Sequence, residues 1–189
     1  MVHAKKLSVL LYSLIIIGCG DVTRDSTSSH YPSLSIHTEI LDNPDAKEAY
    51  ITDGDTIKLT FDGKLTTIRL IGIDTFESRK NNKAYRQAYE HGITIEEVVL
   101  RGKRAKTYIQ KKLSKRVKLY MEYDEELLDR YDRTLGYVWF SDYEMLNMDI
   151  ICDGYAMPLT IKPNDKYAKA FKSCYEKAKK KEVGVWANQ

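Results

Sequence analysis

Residues 57–71 read Ile57-Lys58-Leu59-Thr60-Phe61-Asp62-Gly63-Lys64-Leu65-Thr66-Thr67-Ile68-Arg69-Leu70-Ile71. Ile57, Leu59 and Phe61 alternate with polar residues, Asp62-Gly63 is a turn signal, and a second β-rich run follows. Two such runs joined by Asp-Gly predict a hairpin. From Ile68 to Ile73 the chain is almost continuously apolar except for Arg69. A charge inside a buried strand needs a partner or a task. Further along the chain, Val98, Gly102, Ala105, Ile109 and Leu113 recur on one face of a helix over 96–113. Residues 117–123 and 134–140 alternate as strands. Residues 146–152 make a short helix closed by Asp153-Gly154. A helix over 164–181 places Tyr167, Phe171, Cys174 and Ala178 inward. About five strands and three helices in this order predict an α+β domain over 36–189, a small barrel with helices packed on it. There is no internal repeat and no second domain.

The 189 residues include 30 Lys+Arg, 27 Asp+Glu and 43% hydrophobic residues, enough for one packed core. Of the four His, His3, His30, His37 and His91, only His91 lies inside the folded body, which disfavours chemistry built on a His pair or a Ser-His-Asp triad. Three scattered Cys (Cys19, Cys152, Cys174) do not make a zinc site. No GxxxxGK[ST] loop is present, which disfavours a P-loop NTPase.

The first 18 residues carry Lys5 and Lys6 before an apolar run and predict a signal peptide. The run ends Ile16-Ile17-Gly18-Cys19, which resembles the bacterial lipobox and implies a lipid on Cys19. An ordinary cleaved signal with an incidental Cys is the plainer alternative. Removing 18 residues with two Lys leaves 28 basic and 27 acidic residues, a net charge near +1. The overall basicity therefore says little about substrate. Residues 19–35, rich in Ser, Thr and Asp, read as a flexible tether. The expected location is outside the cytoplasm, anchored to the cell envelope.

Three short segments carry the chemistry. Asp53-Gly54-Asp55-Thr56 opens a strand. Arg69-Leu70-Ile71-Gly72-Ile73-Asp74-Thr75-Phe76-Glu77 ends one. Asp129-Arg130-Tyr131-Asp132-Arg133-Thr134-Leu135-Gly136-Tyr137 is a polar loop entering another. Asp55 and Asp74 offer hard oxygens, suited to Ca²⁺ or Mg²⁺. Arg69 and Arg133 offer planar forks that match phosphate oxygens. Glu77 remains as a base for a water molecule. Together they form an inventory for metal-assisted phosphodiester hydrolysis that needs no His. Taken singly, each residue could as well belong to a surface ion-pair network.

In this order the three segments resemble the motifs of the staphylococcal nuclease (thermonuclease) family, D-G-D-T, R-L-x-x-x-D-T-P-E and D-x-Y-G-R-x-L-x-Y. The likeness covers roughly 36–186, including Lys162-Pro163-Asn164 and Gly184-Val185-Trp186. It implies a five-stranded OB-fold β-barrel with three packed α-helices. It implies one Ca²⁺, held by Asp55, Asp74 and the Thr75 carbonyl, with Asp53 as a nearby acid. It also implies Glu77 as general base, and Arg69 and Arg133 as phosphate binders that stabilise the transition state. Arg130 and Tyr131 fall at substrate-binding positions. The implied activity is cleavage of DNA and RNA with low sequence specificity, leaving 3′-phosphate ends, by a monomer with no protein partner.

The chain departs from the family pattern in three places. Phe76 replaces the Pro of D-T-P-E, so the turn before Glu77 loses a fixed φ. Asp132 replaces the Gly before Arg133, adding a negative charge and a Cβ. Leu159 and Ile161 stand where the family has a Tyr pair. Residues 78–97, with Arg79, Lys80, Lys83 and Arg86, match the family's mobile basic loop and are longer. Residues 101–118 hold nine Lys/Arg and no acid, read as a solvated helix face that could also trail a phosphate backbone. Cys152 and Cys174 are either a disulfide between the last two helices or two buried thiols. A non-catalytic nucleic-acid-binding module is the rival reading, and a surface interaction lipoprotein a weaker third. The intact Arg69, Glu77 and Arg133 set favours the enzyme.

Overall fold

In the computed structural model, residues 38–42, 50–61, 64–114, 118–141 and 143–187 are described. Residues 1–35, which hold the signal peptide, Cys19 and the tether, lie outside them, as does the Asp62-Gly63 turn. The hairpin is formed by β3 (Thr56–Phe61) and β4 (Lys64–Leu70), antiparallel, with Ile57 opposite Ile68 and Thr56 opposite Arg69. Before them, β1 is Thr38–Asp42 and β2 is Tyr50–Asp53. Strand β2 pairs with β3, and its register shifts between Ile51 and Asp53, just before Gly54-Asp55. Later come β5 (Ile73–Asp74), β6 (Lys118–Glu122), β7 (Thr134–Ser141), β8 (Glu144–Met145) and β9 (Met157–Pro158). The main sheet runs β1-β6-β7-β4-β3-β2, with β8 on β7, while β5 and β9 form a separate ribbon. The β4–β7 pairing is parallel and sets Arg69 beside Leu135. It joins the hairpin to the second half of the chain and brings two of the three motif segments side by side.

This curled sheet with its helices is an α+β fold of the OB type. The four strands read individually from the sequence are present. The additional strands are short and carry little apolar period, which hides them from pattern reading. Ile57, Leu59, Ile68, Leu70, Trp139 and Val138 fill the core against Ile109 and Leu113.

Among the described residues there are four α-helices: α1 (Asn82–His91), α2 (Ile95–Leu113), α3 (Leu146–Cys152) and α4 (Ala168–Lys180). Helix α2 buries Val98, Gly102, Ala105, Ile109 and Leu113, the face read from the sequence. Its N-cap Thr94 accepts from the Glu97 N–H at 3.1 Å. Helix α4 starts at Ala168, not 164, because Asn164 has another task. The buried Asn164 amide accepts from Glu126 N–H and donates to Glu126 C=O, both at 2.8 Å. That clamp fastens the loop leading to Arg133. Cys152 and Cys174 are joined by a disulfide between α3 and α4, with Cα atoms 4.8 Å apart.

Helix α1 is the element that the sequence pattern missed. It stands where a mobile basic loop was expected. Asn81 caps it, accepting from Ala84 N–H at 2.8 Å, and Gly92 closes it at φ 63°.

Candidate active site

Two glycines allow the turn over 74–77 to form. A Cβ at Gly54 would lie 2.7 Å from Thr75 Oγ1, so only Gly lets the Asp53–Asp55 corner sit on the 74–77 turn. A Cβ at Gly102 would lie 2.3 Å from the Glu77 carbonyl oxygen, so α2 passes directly beneath that turn. The Pro missing at position 76 is compensated by packing. Phe76 is buried with Ala84, Val98 and Val185, and its ring meets His91 edge-on at 5.0 Å. The Gln87 amide reinforces the turn: it donates to the Thr75 carbonyl at 2.9 Å and accepts from Glu77 N–H at 2.9 Å. Gln87 is itself buried, so this two-bond clamp is shielded from water.

Asp55, Asp74 and Glu77 converge on the ammonium of Lys83. Its Nζ is 2.8 Å from Asp74 Oδ1, 2.8 Å from Glu77 Oε1 and 3.8 Å from Asp55 Oδ2. The other Glu77 oxygen, Oε2, accepts from Asn81 Nδ2 at 2.7 Å. Burial pushes the Lys83 pKa down, but the Asp55 and Asp74 charges and the hydrogen bonds to Asp74 and Glu77 together hold it above the ordinary lysine value. For Asp74, burial is the largest influence and raises its pKa; Lys83 pulls the other way without cancelling it, and Asp55 adds to the rise. The Lys83 rise follows from the carboxylates around it, and the Asp74 rise from its burial. Asp53 stands aside from this group, accepting from Ser78 Oγ at 3.2 Å.

Arg69 has the partners its apolar strand demands. It donates to the carbonyls of Leu70 at 2.6 Å and Ile73 at 2.9 Å, and lies 3.3 Å from Asp55 Oδ2. Arg133 is aimed by Asp129, whose Oδ1 accepts from the N–H groups of Tyr131 and Arg133 and whose Oδ2 accepts from Arg133 Nε at 2.7 Å. Burial pushes the Asp129 pKa up, but these hydrogen bonds and the Arg133 charge hold it below the usual carboxylate value. Arg133 Nη1 donates to Thr56 Oγ1 at 3.2 Å, and Thr56 donates to Asp55 at 3.0 Å. A continuous chain of contacts therefore runs from Arg133 through Asp55 and Lys83 to Glu77. Beside it is a groove of about 470 Å³, lined among others by Arg69, Arg133, Tyr131, Leu128, Leu159 and Ile161. Tyr131 is exposed, with the Arg130 guanidinium 4.8 Å from its ring centre.

The proposed site residues are thus gathered on one side of the barrel. Sequence reading named Lys83 only among the basic residues of an expected loop and missed the contacts that Asn81, Lys83 and Gln87 make here. The Asn81 and Gly92 caps, ten helical residues apart, were the available signal.

The fold, the carboxylate cluster and the paired arginines define an OB-type domain with a polar, phosphate-compatible site. The family profile described as Staphylococcal nuclease homologue matches residues 67–188, and the chain belongs to that family. A thermonuclease of Staphylococcus intermedius is 37% identical over 136 residues, covering 72% of each chain. A thermonuclease of Staphylococcus hyicus is 35% identical over 138 residues, covering 73% of each. An SPbeta prophage-derived endonuclease of Bacillus subtilis is 31% identical over 137 residues, covering 71% of this chain and 41% of that protein.

Proposed function

We propose that this chain is a calcium-dependent nuclease that hydrolyses phosphodiester bonds of DNA and RNA with low sequence specificity and leaves 3′-phosphate ends. The observation that carries the reading is the convergence of Asp55, Asp74 and Glu77 beside Arg69 and the Thr56–Arg133 contact. The nuclease names of the relatives support it.

The donor set suits Ca²⁺. Asp55, Asp74 and the Thr75 carbonyl are hard oxygens on one turn and its neighbouring corner. Among the described residues no group of three or more Asp, Glu, His or Cys side chains is placed to hold a metal ion by itself. Water and substrate phosphate would therefore fill the rest of the shell. When bound, the ion would supply Lewis-acid stabilisation of charge on the phosphate. The protein's own groups do the remaining work. Glu77, held at its peptide N–H by Gln87 and at Oε2 by Asn81, takes a proton from the attacking water. Arg133 keeps Nε and Nη2 against Asp129, and its remaining N–H bonds meet the charge growing on the phosphate. Arg69, tied to two carbonyls and Asp55, fixes the corner and adds positive charge beside the groove. Arg130 and Tyr131 grip the nucleotide at the rim. Phosphate contacts carry little sequence information, hence the low specificity.

The same proposal has the chain exported and held as a monomer on the cell envelope, facing outside the cytoplasm, by lipid on Cys19, with residues 19–35 as tether. Among the described residues no helix is long and apolar enough to cross a membrane. The test is incubation of plasmid DNA with the purified protein in Ca²⁺, in Mg²⁺ and in chelator. Cleavage in Ca²⁺ with 3′-phosphate ends is expected, with little in Mg²⁺. Binding without cleavage would pass the assignment to a nucleic-acid-binding module. Loss of membrane partitioning in Cys19→Ser tests the anchor.

A further inference from the structure

Lys83 lies where a metal-dependent reading leaves no role for a lysine. Its ammonium touches Asp74 and Glu77 and faces Asp55, which includes both carboxylates assigned to the ion and the assigned base. Its backbone cannot withdraw readily. Asn81 caps the first turn of α1, Ala84 is buried beneath it, and Gln87 bonds the helix to the Thr75–Glu77 turn. The side chain itself is about a third exposed, at 32%, so its four-carbon stem has room to swing outward.

We propose that Lys83 is a resident cation that neutralises the Asp55–Asp74–Glu77 cluster when no divalent ion is bound and is displaced when one enters, so that it sets the affinity of the site for that ion. The inference rests on the calcium reading of Asp55 and Asp74. Two cations cannot share these oxygens without strong repulsion, because like charges a few ångströms apart interact strongly in a partly buried site. Entry of the ion must therefore expel the ammonium from its contacts with Asp74 and Glu77. Two consequences follow. The site binds the ion more weakly than its carboxylates alone would allow. The same step that loads the ion also releases Glu77 Oε1 from its ion pair, so loading the site frees an oxygen of the assigned base.

The test uses the full chain in detergent, with Ca²⁺ titrated calorimetrically into wild type and Lys83→Met, which retains an apolar stem. Lys83→Met should bind Ca²⁺ about 10–100-fold more tightly, the range typical of changes beside metal ligands. In chelator it should melt below wild type, because Asp74 and Glu77 have lost the ammonium they pair with and Asp55 keeps only Arg69, and Ca²⁺ should restore the melt. A measurement on the unmutated protein covers the case in which this variant fails to fold. Acylation of the Lys83 amine, quantified by mass spectrometry, should be slow in chelator and rise when Ca²⁺ is added. Equal or weaker Ca²⁺ binding by Lys83→Met overturns the proposal while leaving the calcium reading intact, as does Lys83 acylation that ignores Ca²⁺. Absence of Ca²⁺ binding to both proteins overturns the calcium reading and this proposal together.

Discussion

Two lysine–carboxylate clusters in this fold balance charge in opposite ratios. Glu122, at the end of β6, is 0% exposed. It accepts from Trp139 Nε1 at 2.8 Å and from the Tyr167 hydroxyl at 2.9 Å, and pairs with Lys166. One carboxylate there meets three donors. Around Lys83 the ratio reverses, and three carboxylates share one ammonium that is partly open to solvent. A buried charge is tolerable when its lone pairs are satisfied. The Glu122 cluster meets that condition and reads as structure. The Lys83 cluster holds an excess of negative charge, with Arg69 linking it to the groove, and reads as a site waiting for cationic partners. Exchanging roles between the two clusters by mutation is the way to break the contrast.

The largest effect is expected at Glu77. Glu77→Gln keeps the size and the Asn81 contact but removes the base, and general-base loss typically lowers rate by about 10²–10⁴. Arg133→Ala should follow with a loss on the order of 10²–10³. Both should melt near wild type, because neither side chain is part of the apolar core. Turnover of single-stranded DNA measured beside a thermal melt checks this. Wild-type turnover in normally folded variants would remove both residues from the mechanism.

Glu122→Ala should do the opposite. It strands Lys166, Tyr167 and Trp139 without their acceptor, and breaking a buried charged network by removing one partner costs about 3–5 kcal/mol. The melting transition should fall steeply. Whatever protein remains folded should keep its turnover per molecule. A turnover defect at full stability would place Glu122 in the active site and erase the contrast.

The two clusters were not equally legible. The β3–β4 hairpin and the inner face of α2 follow from period alone, since their apolar residues recur at 2 or 3.6. Arg69 announced itself as a charge in an apolar strand. Asp55, Asp74 and Glu77 lie on short motifs, so their role could be proposed from their residue types and from the likeness of those motifs to the family's. Lys83 could not be placed, because its position depends on how α1 docks. That helix buries little beyond Ala84 and Gln87, so its apolar stripe is too thin to register. The Glu122 network was illegible for another reason. Its members are up to 45 positions apart, and no local pattern links β6 to α4.

Alkaline pH offers a gentler probe of the structural cluster. Burial is the main cause pushing the Tyr137 and Tyr167 pKa values far above the ordinary tyrosine value. The bond from Tyr137 to Asp124 and the Glu122 charge beside Tyr167 add to it. The folded state holds these protons more tightly than the unfolded chain does. The stability they contribute is therefore complete below a pH of about 10 and drains away as pH rises beyond it. Tyrosinate absorbance followed alongside near-ultraviolet circular dichroism should show these two rings ionising only as tertiary structure is lost. Early ionisation of every tyrosine in a folded protein would contradict the closed character of the cluster.

The smallest effect concerns the loop that aims Arg133. Asp132 sits at φ 56°, in the left-handed region where the family pattern has Gly, and its N–H donates to the Asp129 carbonyl at 3.0 Å. Asp132→Gly removes the penalty of a Cβ in that region but gives the unfolded chain more freedom, and these two effects are each of order 1 kcal/mol and opposed. The melt should therefore move by less than about 1 kcal/mol. The substitution also deletes a negative charge next to Arg133, beside the groove lined by Arg130 and Tyr131. At low salt the Michaelis constant for DNA should fall modestly, less than about tenfold, with kcat nearly unchanged. At physiological ionic strength, where charges beyond about 8 Å are screened, most of that gain should vanish. A kcat change that survives high salt would mean Asp132 acts on the geometry of Arg133 and not through the field at the rim, moving this residue from the periphery of the site into its working centre.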